Sequence, residues 1–136
     1  MSYYVDFRGG EFHIEKKNMG AAADALREYC RGCGRDVGHN ENLVELLDDC
    51  CWRVDDLDDD GGIAYMYLDD NVLGDEEDWF KVIAPYVKPG SYLVFEGEDG
   101  HIWCWYFNGR DYTEHAGTII FPGLQSNSGD EIAICT

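Results

Sequence analysis

Cations are scarce in this chain. Ten Lys and Arg stand against 28 Asp and Glu, a formal net charge of −18 in 136 residues. Such a surface repels polyanions, which excludes nucleic acid and anionic membrane as direct partners. No run approaches the 18 or so consecutive apolar residues of a spanning helix. The opening Met1 to Arg8 alternates instead of setting an apolar block behind basic residues, so no secretory leader is expected. Six cysteines without such a leader read as reduced thiols in a cytoplasm, not as a disulfide framework. A phosphate loop is missing, because no glycine pair precedes Lys-Ser/Thr. His13, His39, His101 and His115 are scattered, and none adjoins a Ser or Cys in a nucleophile arrangement. Carboxylates are too numerous for any two to stand out as acid and base. Neither an enzyme nor a cofactor is expected.

What the chain does have is aromatic bulk beside negative charge. Apolar residues at 45% and aromatics at 14% are too rich for a disordered acidic tail. One domain spanning residues 1–136 is expected, burying roughly 68% of the surface it exposes when unfolded. Between Cys51 and Gly100 lie fourteen Asp and Glu, offset only by Arg53, Lys81 and Lys88. Through the same stretch and just beyond it run Tyr65, Tyr67, Trp79, Phe80, Tyr86, Tyr92, Phe95, Trp103, Trp105, Tyr106 and Phe107.

Periodicity divides the chain into short elements. Tyr3, Val5 and Phe7 alternate, Gly9-Gly10 offers a turn, and Phe12 and Ile14 resume, which predicts a hairpin. Asn18 is placed to cap a helix with Ala22, Ala25, Leu26, Tyr29, Cys30 and Cys33 on one stripe. Asn40 or Asn42 starts a second, with Leu43, Leu46, Leu47, Cys50 and Cys51 inward. Trp52 to Val54 and Ile63 to Leu68 flank an acidic turn as another hairpin. Asp75 caps a third helix whose first turn, Glu76, Glu77 and Asp78, suits the helix dipole, and Pro85 ends it. Tyr92 to Glu96, Ile102 to Phe107, Tyr112 to Glu114 and Thr118 to Phe121 read as a meander, with Asn108-Gly109 as one of its turns. Residues 125–130 read as a flexible link to a last edge strand, Glu131 to Cys135. The sum is an α+β fold: a mostly antiparallel sheet of hairpins and a C-terminal meander, with about three helices on one face. Trp103, Trp105 and Phe107 share one side of their strand and Ile102, Cys104 and Tyr106 the other, so each face is either covered or meets a partner.

Two metal patterns are incomplete. Cys30, Cys33, His39 and Cys51 have some of the residue types of a zinc site, but Cys50-Cys51 are adjacent and not spaced by two. In an antiparallel helix pair, Cys50 would also lie about 10 residues, or ~15 Å, beyond the level of Cys30. Asp56, Asp58, Asp60 and Gly61 open like a calcium loop, yet Tyr67 stands where the closing Glu belongs. Packing cysteines and an ordinary hairpin turn account for both patterns.

The pieces Ile83-Ala84-Pro85-Tyr86-Val87, Gly90-Ser91-Tyr92, Gly97-Glu98-Asp99-Gly100 and Trp103-Cys104-Trp105-Tyr106-Phe107 resemble a group of small uncharacterised bacterial proteins. Tyr4-Val5-Asp6-Phe7, Phe12-His13-Ile14 and Leu73-Gly74-Asp75 are similar too, so the likeness covers most of the chain. Cys104 departs from the group, where Arg or Lys would be expected between the tryptophans. The resemblance implies association with phage and mobile elements, among which small acidic inhibitors of host defence nucleases are common, and transfers no catalytic residue.

The expectation from the residues themselves is an acidic binding protein. Asp55, Asp56, Asp58, Asp59, Asp60, Asp69, Asp70, Asp75, Glu76, Glu77 and Asp78 would engage a basic protein surface, with exposed Trp103 and Trp105 as desolvated anchors. In its sharpest form the carboxylates stand in for phosphates, spaced about 1.7 Å apart along a duplex axis, and occupy the groove of a nucleic-acid enzyme. The alternatives are a zinc or calcium module and a domain that self-associates, as a homodimer, through its last edge strand.

Overall fold

In the computed structural model, residues 3–38 and 41–117 are described. His39 and the expected segments Thr118 to Phe121, 125–130 and Glu131 to Cys135 lie outside them. Among the described residues are three α-helices and six strands, the strands in two antiparallel sheets, an α+β fold. The chain order is β1 (Val5–Glu11), α1 (Lys16–Gly32), α2 (Leu43–Asp49), β2 (Trp52–Leu57), β3 (Ile63–Leu68), α3 (Glu76–Ile83), a 3-10 turn Ala84–Tyr86, β4 (Tyr92–Gly97), β5 (Ile102–Phe107) and β6 (Tyr112–Ala116). The larger sheet runs β1-β4-β5-β6, and β2-β3 is a separate hairpin.

The first expected hairpin is instead one strand. β1 continues through Gly9-Gly10 because it pairs with β4, and the extra residue is absorbed as a register shift between Phe7 and Gly9. Gly10 is required there, since a Cβ at its φ of 148° would stand 2.1 Å from the Tyr92 carbonyl oxygen. Ile14 then forms a lone bridge to Ile63, which ties the strand exit to the hairpin.

Helix starts follow local chemistry to different degrees. At α2 the Asn42 side chain accepts from the Glu45 N–H and Glu45 reaches back to the Asn42 N–H, a complete capping box. α1 begins earlier than expected: Glu15 is its N-cap without a side-chain bond, and Asn18 sits inside the first turn. Ala22, Ala23, Leu26 and Cys30 form its buried stripe. α3 ends at Ile83, two residues before Pro85, as a missing N–H requires.

Trp52 holds the core together. It enters from the hairpin and meets Phe7, Trp79, Phe80 and Phe95 edge-on, with ring centroids 5.2–6.3 Å apart. Edge-to-face pairs of this kind add about 0.5–1.5 kcal/mol each beyond area burial. The sheet supplies Leu93, Phe95, Trp103, Trp105 and Phe107 from one face, and helices and hairpin close over them. Trp103 and Trp105 are therefore buried, at 7% and 1% exposure. The expectation that they stand free as interface anchors is overturned, because they share a face with Phe107 and that face is the core.

Among the described cysteines, Cys30, Cys33, Cys50 and Cys51 are free. Cys104 is disulfide-bonded, against the expectation of reduced thiols throughout. Disulfides persist in oxidising surroundings, so cysteine state no longer argues for a cytoplasm. No helix among the described residues is long and apolar enough to cross a membrane.

Candidate functional site

The expected carboxylates do not form one facet. They divide into three groups with different surroundings.

Asp55, Asp56, Asp58, Asp59 and Asp60 are exposed on β2 and the hairpin tip. The Asp58 side chain turns inward and accepts from the Asp60 and Gly62 N–H groups, both at 2.9 Å. It closes the turn, which is what Asp does well at such positions. Across an open groove of about 780 Å³ from Asp58, Asp59 and Asp60 stand Lys16, Lys17 and Lys88. Three of the ten Lys and Arg in the chain thus already face the tip.

The second group lies at the other end of the hairpin and is largely engaged. Asp69 and Asp48 both pair with Arg53, at 3.0 and 2.7 Å, while Asp70 is exposed beside them. Asp75 occupies the N-cap position of α3 yet makes no side-chain cap bond. Its carboxylate accepts from Arg35 Nη2 at 2.6 Å and from the Tyr29 hydroxyl at 2.8 Å. Burial opposes ionisation of Asp75, but those two donors outweigh it and hold the carboxyl below the usual range. Glu76 is 5% exposed, which overturns its expected place on a docking surface. It accepts from the Trp52 indole N–H at 3.1 Å and from the Gly74 N–H at 2.6 Å. Burial nevertheless pushes its carboxyl up.

The cysteines sit beside this network. Arg35 Nη1 points at both Cys30 Sγ and Cys50 Sγ, at 4.0 and 3.6 Å. The two sulfurs flank one nitrogen, so the expected ~15 Å offset along the helices is wrong: α2 is only seven residues long and delivers Cys50 back to α1. Burial pushes the Cys50 thiol up to about 12, which makes it a poor nucleophile and a poor ligand. Cys33 is exposed, with its thiol beside the Tyr29 hydroxyl. No group of three His, Cys, Asp or Glu among the described residues is arranged to hold a metal ion.

The third group is the one the fold assembles. Glu77 and Asp78 are exposed on the first turn of α3. The Tyr112 hydroxyl donates to the Glu77 carbonyl oxygen at 2.8 Å and fixes that turn against β6. Beside it opens a pocket of about 290 Å³, lined by Tyr3, Leu73, Glu77, His101, Trp103, Trp105 and Glu114. Of the expected site, this pocket unites Glu77 with Trp103 and Trp105, although both tryptophans are almost wholly buried. Trp103 stacks on Phe95 and His101, and Trp105 on Tyr112.

Glu114 does not figure among the expected site residues. It lies opposite Trp105 in the β5–β6 register and accepts its indole N–H at 2.9 Å. Tyr3, expected only as a strand residue, donates its hydroxyl to Asp99 at 2.6 Å. That bond, with burial and the charges of Asp99 and Glu98, pushes the Tyr3 phenol up to about 12. The Tyr112 phenol is pushed up too, by burial first and then by Glu77, Glu114, Asp111 and Asp78. Four carboxylates therefore act on one point, where no Lys or Arg lines the adjoining pocket. Lys81 stands one turn further along α3 and makes no ion pair with Glu77 among the described residues.

Comparison with protein-family models, with curated proteins and with solved structures finds no match to this chain, and the phage and mobile-element association gains no relative from them.

Proposed function

We propose that this protein is a non-enzymatic binding protein whose acidic surface docks a basic protein. The docking facet is the third group: Glu77, Asp78, Asp111 and Glu114, together with Glu98 and Asp99 on the adjoining turn. One observation carries the choice. Among the described residues, the hairpin-tip carboxylates already face three lysines and the Asp75 group is tied up with Arg35, Tyr29 and Trp52, whereas the facet around Tyr112 concentrates carboxylates on a pocket without Lys or Arg in its described lining. Charge left uncompensated at a surface steers an opposite partner and sets its register. Among the described residues the carboxylates make separate groups and no continuous row, so a duplex-mimicking version has no phosphate-like track to support it. The partner is better described as a basic protein surface than as a nucleic-acid groove.

Titration with a cationic polypeptide across a salt series tests this. Binding should weaken by about tenfold or more between 50 and 200 mM salt if several carboxylates lose their counterions on docking. Affinity that does not change with salt, or no binding at low salt, contradicts the reading.

A further inference from the structure

The geometry points to a more specific role for the pocket between α3 and β5–β6: it receives one arginine side chain of the basic partner. This inference rests on the docking reading above and goes beyond it by naming the group that is bound.

The shape fits a single long side chain. At about 290 Å³ and open to solvent, the pocket is at the small end of ligand sites, which run from about 300 to 1,000 Å³. A nucleotide or a drug-sized cofactor would not be enclosed there. Its walls are of two kinds. Leu73, the Tyr3 ring and the small exposed part of Trp103 offer apolar surface on which a methylene stem can lie. Glu77 and Glu114 offer acceptors at the rim, from the helix side and the sheet side. Glu114 is held in place because one of its oxygens accepts the Trp105 indole N–H, leaving the other free to accept from a ligand.

Charge and hydration select arginine among cations. Among the described residues the lining holds two carboxylates and no Lys or Arg, which favours a cation. Trp103 is stacked on Phe95 and His101 and Trp105 on Tyr112, so Tyr3 is the one lining ring without a stacking partner among the described residues. A single ring does not make the multi-sided aromatic cage that holds a compact ammonium. A guanidinium is planar, weakly hydrated and carries five donors in a fork, so it spans two separated carboxylates at less desolvation cost than an ammonium.

Nuclear magnetic resonance with acetyl-Gly-Arg-Gly-amide, at low ionic strength, tests the assignment. The Trp105 indole N–H and the backbone amides of His101 and Glu114 should shift saturably. The neutral citrulline analogue should bind about tenfold more weakly, and the lysine analogue about threefold more weakly. Glu77→Gln and Glu114→Gln should each weaken the arginine peptide by about fivefold or more, whereas Asp59→Asn should not. The amide introduced by Glu114→Gln still offers an oxygen to the Trp105 indole, so the fold is retained in that variant. Absent shifts, shifts confined to residues 55–60, or equal binding of arginine, lysine and citrulline peptides would overturn the inference. Polyarginine run in parallel separates the two readings. If it binds wild type and the Glu77→Gln/Glu114→Gln double variant alike, the pocket is wrong and the docking reading stands. If it does not bind wild type at all, both fall.

Discussion

Trp52 and Glu76 meet inside the protein, the indole N–H donating at 3.1 Å to a carboxylate that also accepts the Gly74 N–H. The pair joins the hairpin to the start of α3, and it explains why an acidic residue of a helix first turn is buried. Glu76→Ala leaves the buried Trp52 indole N–H unpaired, and a part-buried Gly74 N–H that water can reach, and should cost about 1–3 kcal/mol. Thermal or urea unfolding reads the loss, and a change below about 0.5 kcal/mol would mean the bond contributes nothing.

Asp75 and Glu76 are neighbours in sequence with opposite proton linkage. The Glu76 carboxyl is raised in the fold, so its contribution is complete below the unfolded value of 4.5 and is lost as pH rises through the folded one. Asp75 is lowered, so its contribution is complete above 3.8 and is lost as pH falls through the folded value. The stability advantage of wild type over Glu76→Gln should shrink as pH rises from 4.5. Its advantage over Asp75→Asn should shrink as pH falls below 3.8, from about 1 kcal/mol at neutral pH, because the Asp75–Arg35 pair is a third exposed and water screens it. Urea denaturation from about pH 3 to 8 gives both slopes; slopes of the same sign contradict the assignment.

Cys51 links α2 to β2 with φ of 68°, the only positive φ at a non-glycine position among the described residues. That conformation costs a residue with a Cβ about 1 kcal/mol. Cys51→Gly should therefore leave stability unchanged or raise it by up to about 1 kcal/mol, while Cys51→Val should lower it by more than about 1 kcal/mol. A zinc site using Cys51 would give the reverse, with Cys51→Gly losing metal and stability together. Elemental analysis alongside unfolding distinguishes them.

Gly62 is closed in from three sides. A Cβ there would stand 2.4 Å from the Ile14 carbonyl oxygen, 2.8 Å from Asp58 Oδ2 and 2.9 Å from the Lys16 N–H nitrogen. Two of these are backbone atoms, so the hairpin must move away from the β1 exit. Gly62→Ala should cost about 1–3 kcal/mol, readable by unfolding, while Gly20→Ala, which meets nothing within 4 Å inside a helix, should gain about 0.5–1 kcal/mol. Equal effects at both positions would contradict the packing described.

The legible parts of the fold are those decided within a few residues. Asn42 and Glu45 announce their capping box, Pro85 announces the end of α3, and alternation puts Trp103, Trp105 and Phe107 on one face. Long-range pairing decides the rest. Gly9-Gly10 looks like a turn until β4, more than eighty residues away, supplies partners for both glycines and leaves the irregularity just before them, between Phe7 and Gly9. Asp75 stands at the start of its helix as expected, but its side chain serves Arg35 and Tyr29, 40 and 46 positions earlier. Whether the tryptophan face is covered depends on where the hairpin and α3 dock, which no local pattern states. Glu114 has a readable signal: Asn108 accepts the N–H groups of both Arg110 and Asp111, widening the turn. The register that follows pairs Phe107 with Tyr112 and so sets Glu114 against Trp105.

Carboxyl footprinting of the protein bound to a basic polypeptide tests the docking facet most directly. Carbodiimide labelling, read by mass spectrometry, should show Glu77, Asp78 and Glu114 protected on binding, with Asp59 and Asp60 labelled as in the free protein. Protection centred on the hairpin tip, or no change at Glu77 and Glu114 in a saturated complex, would contradict the account.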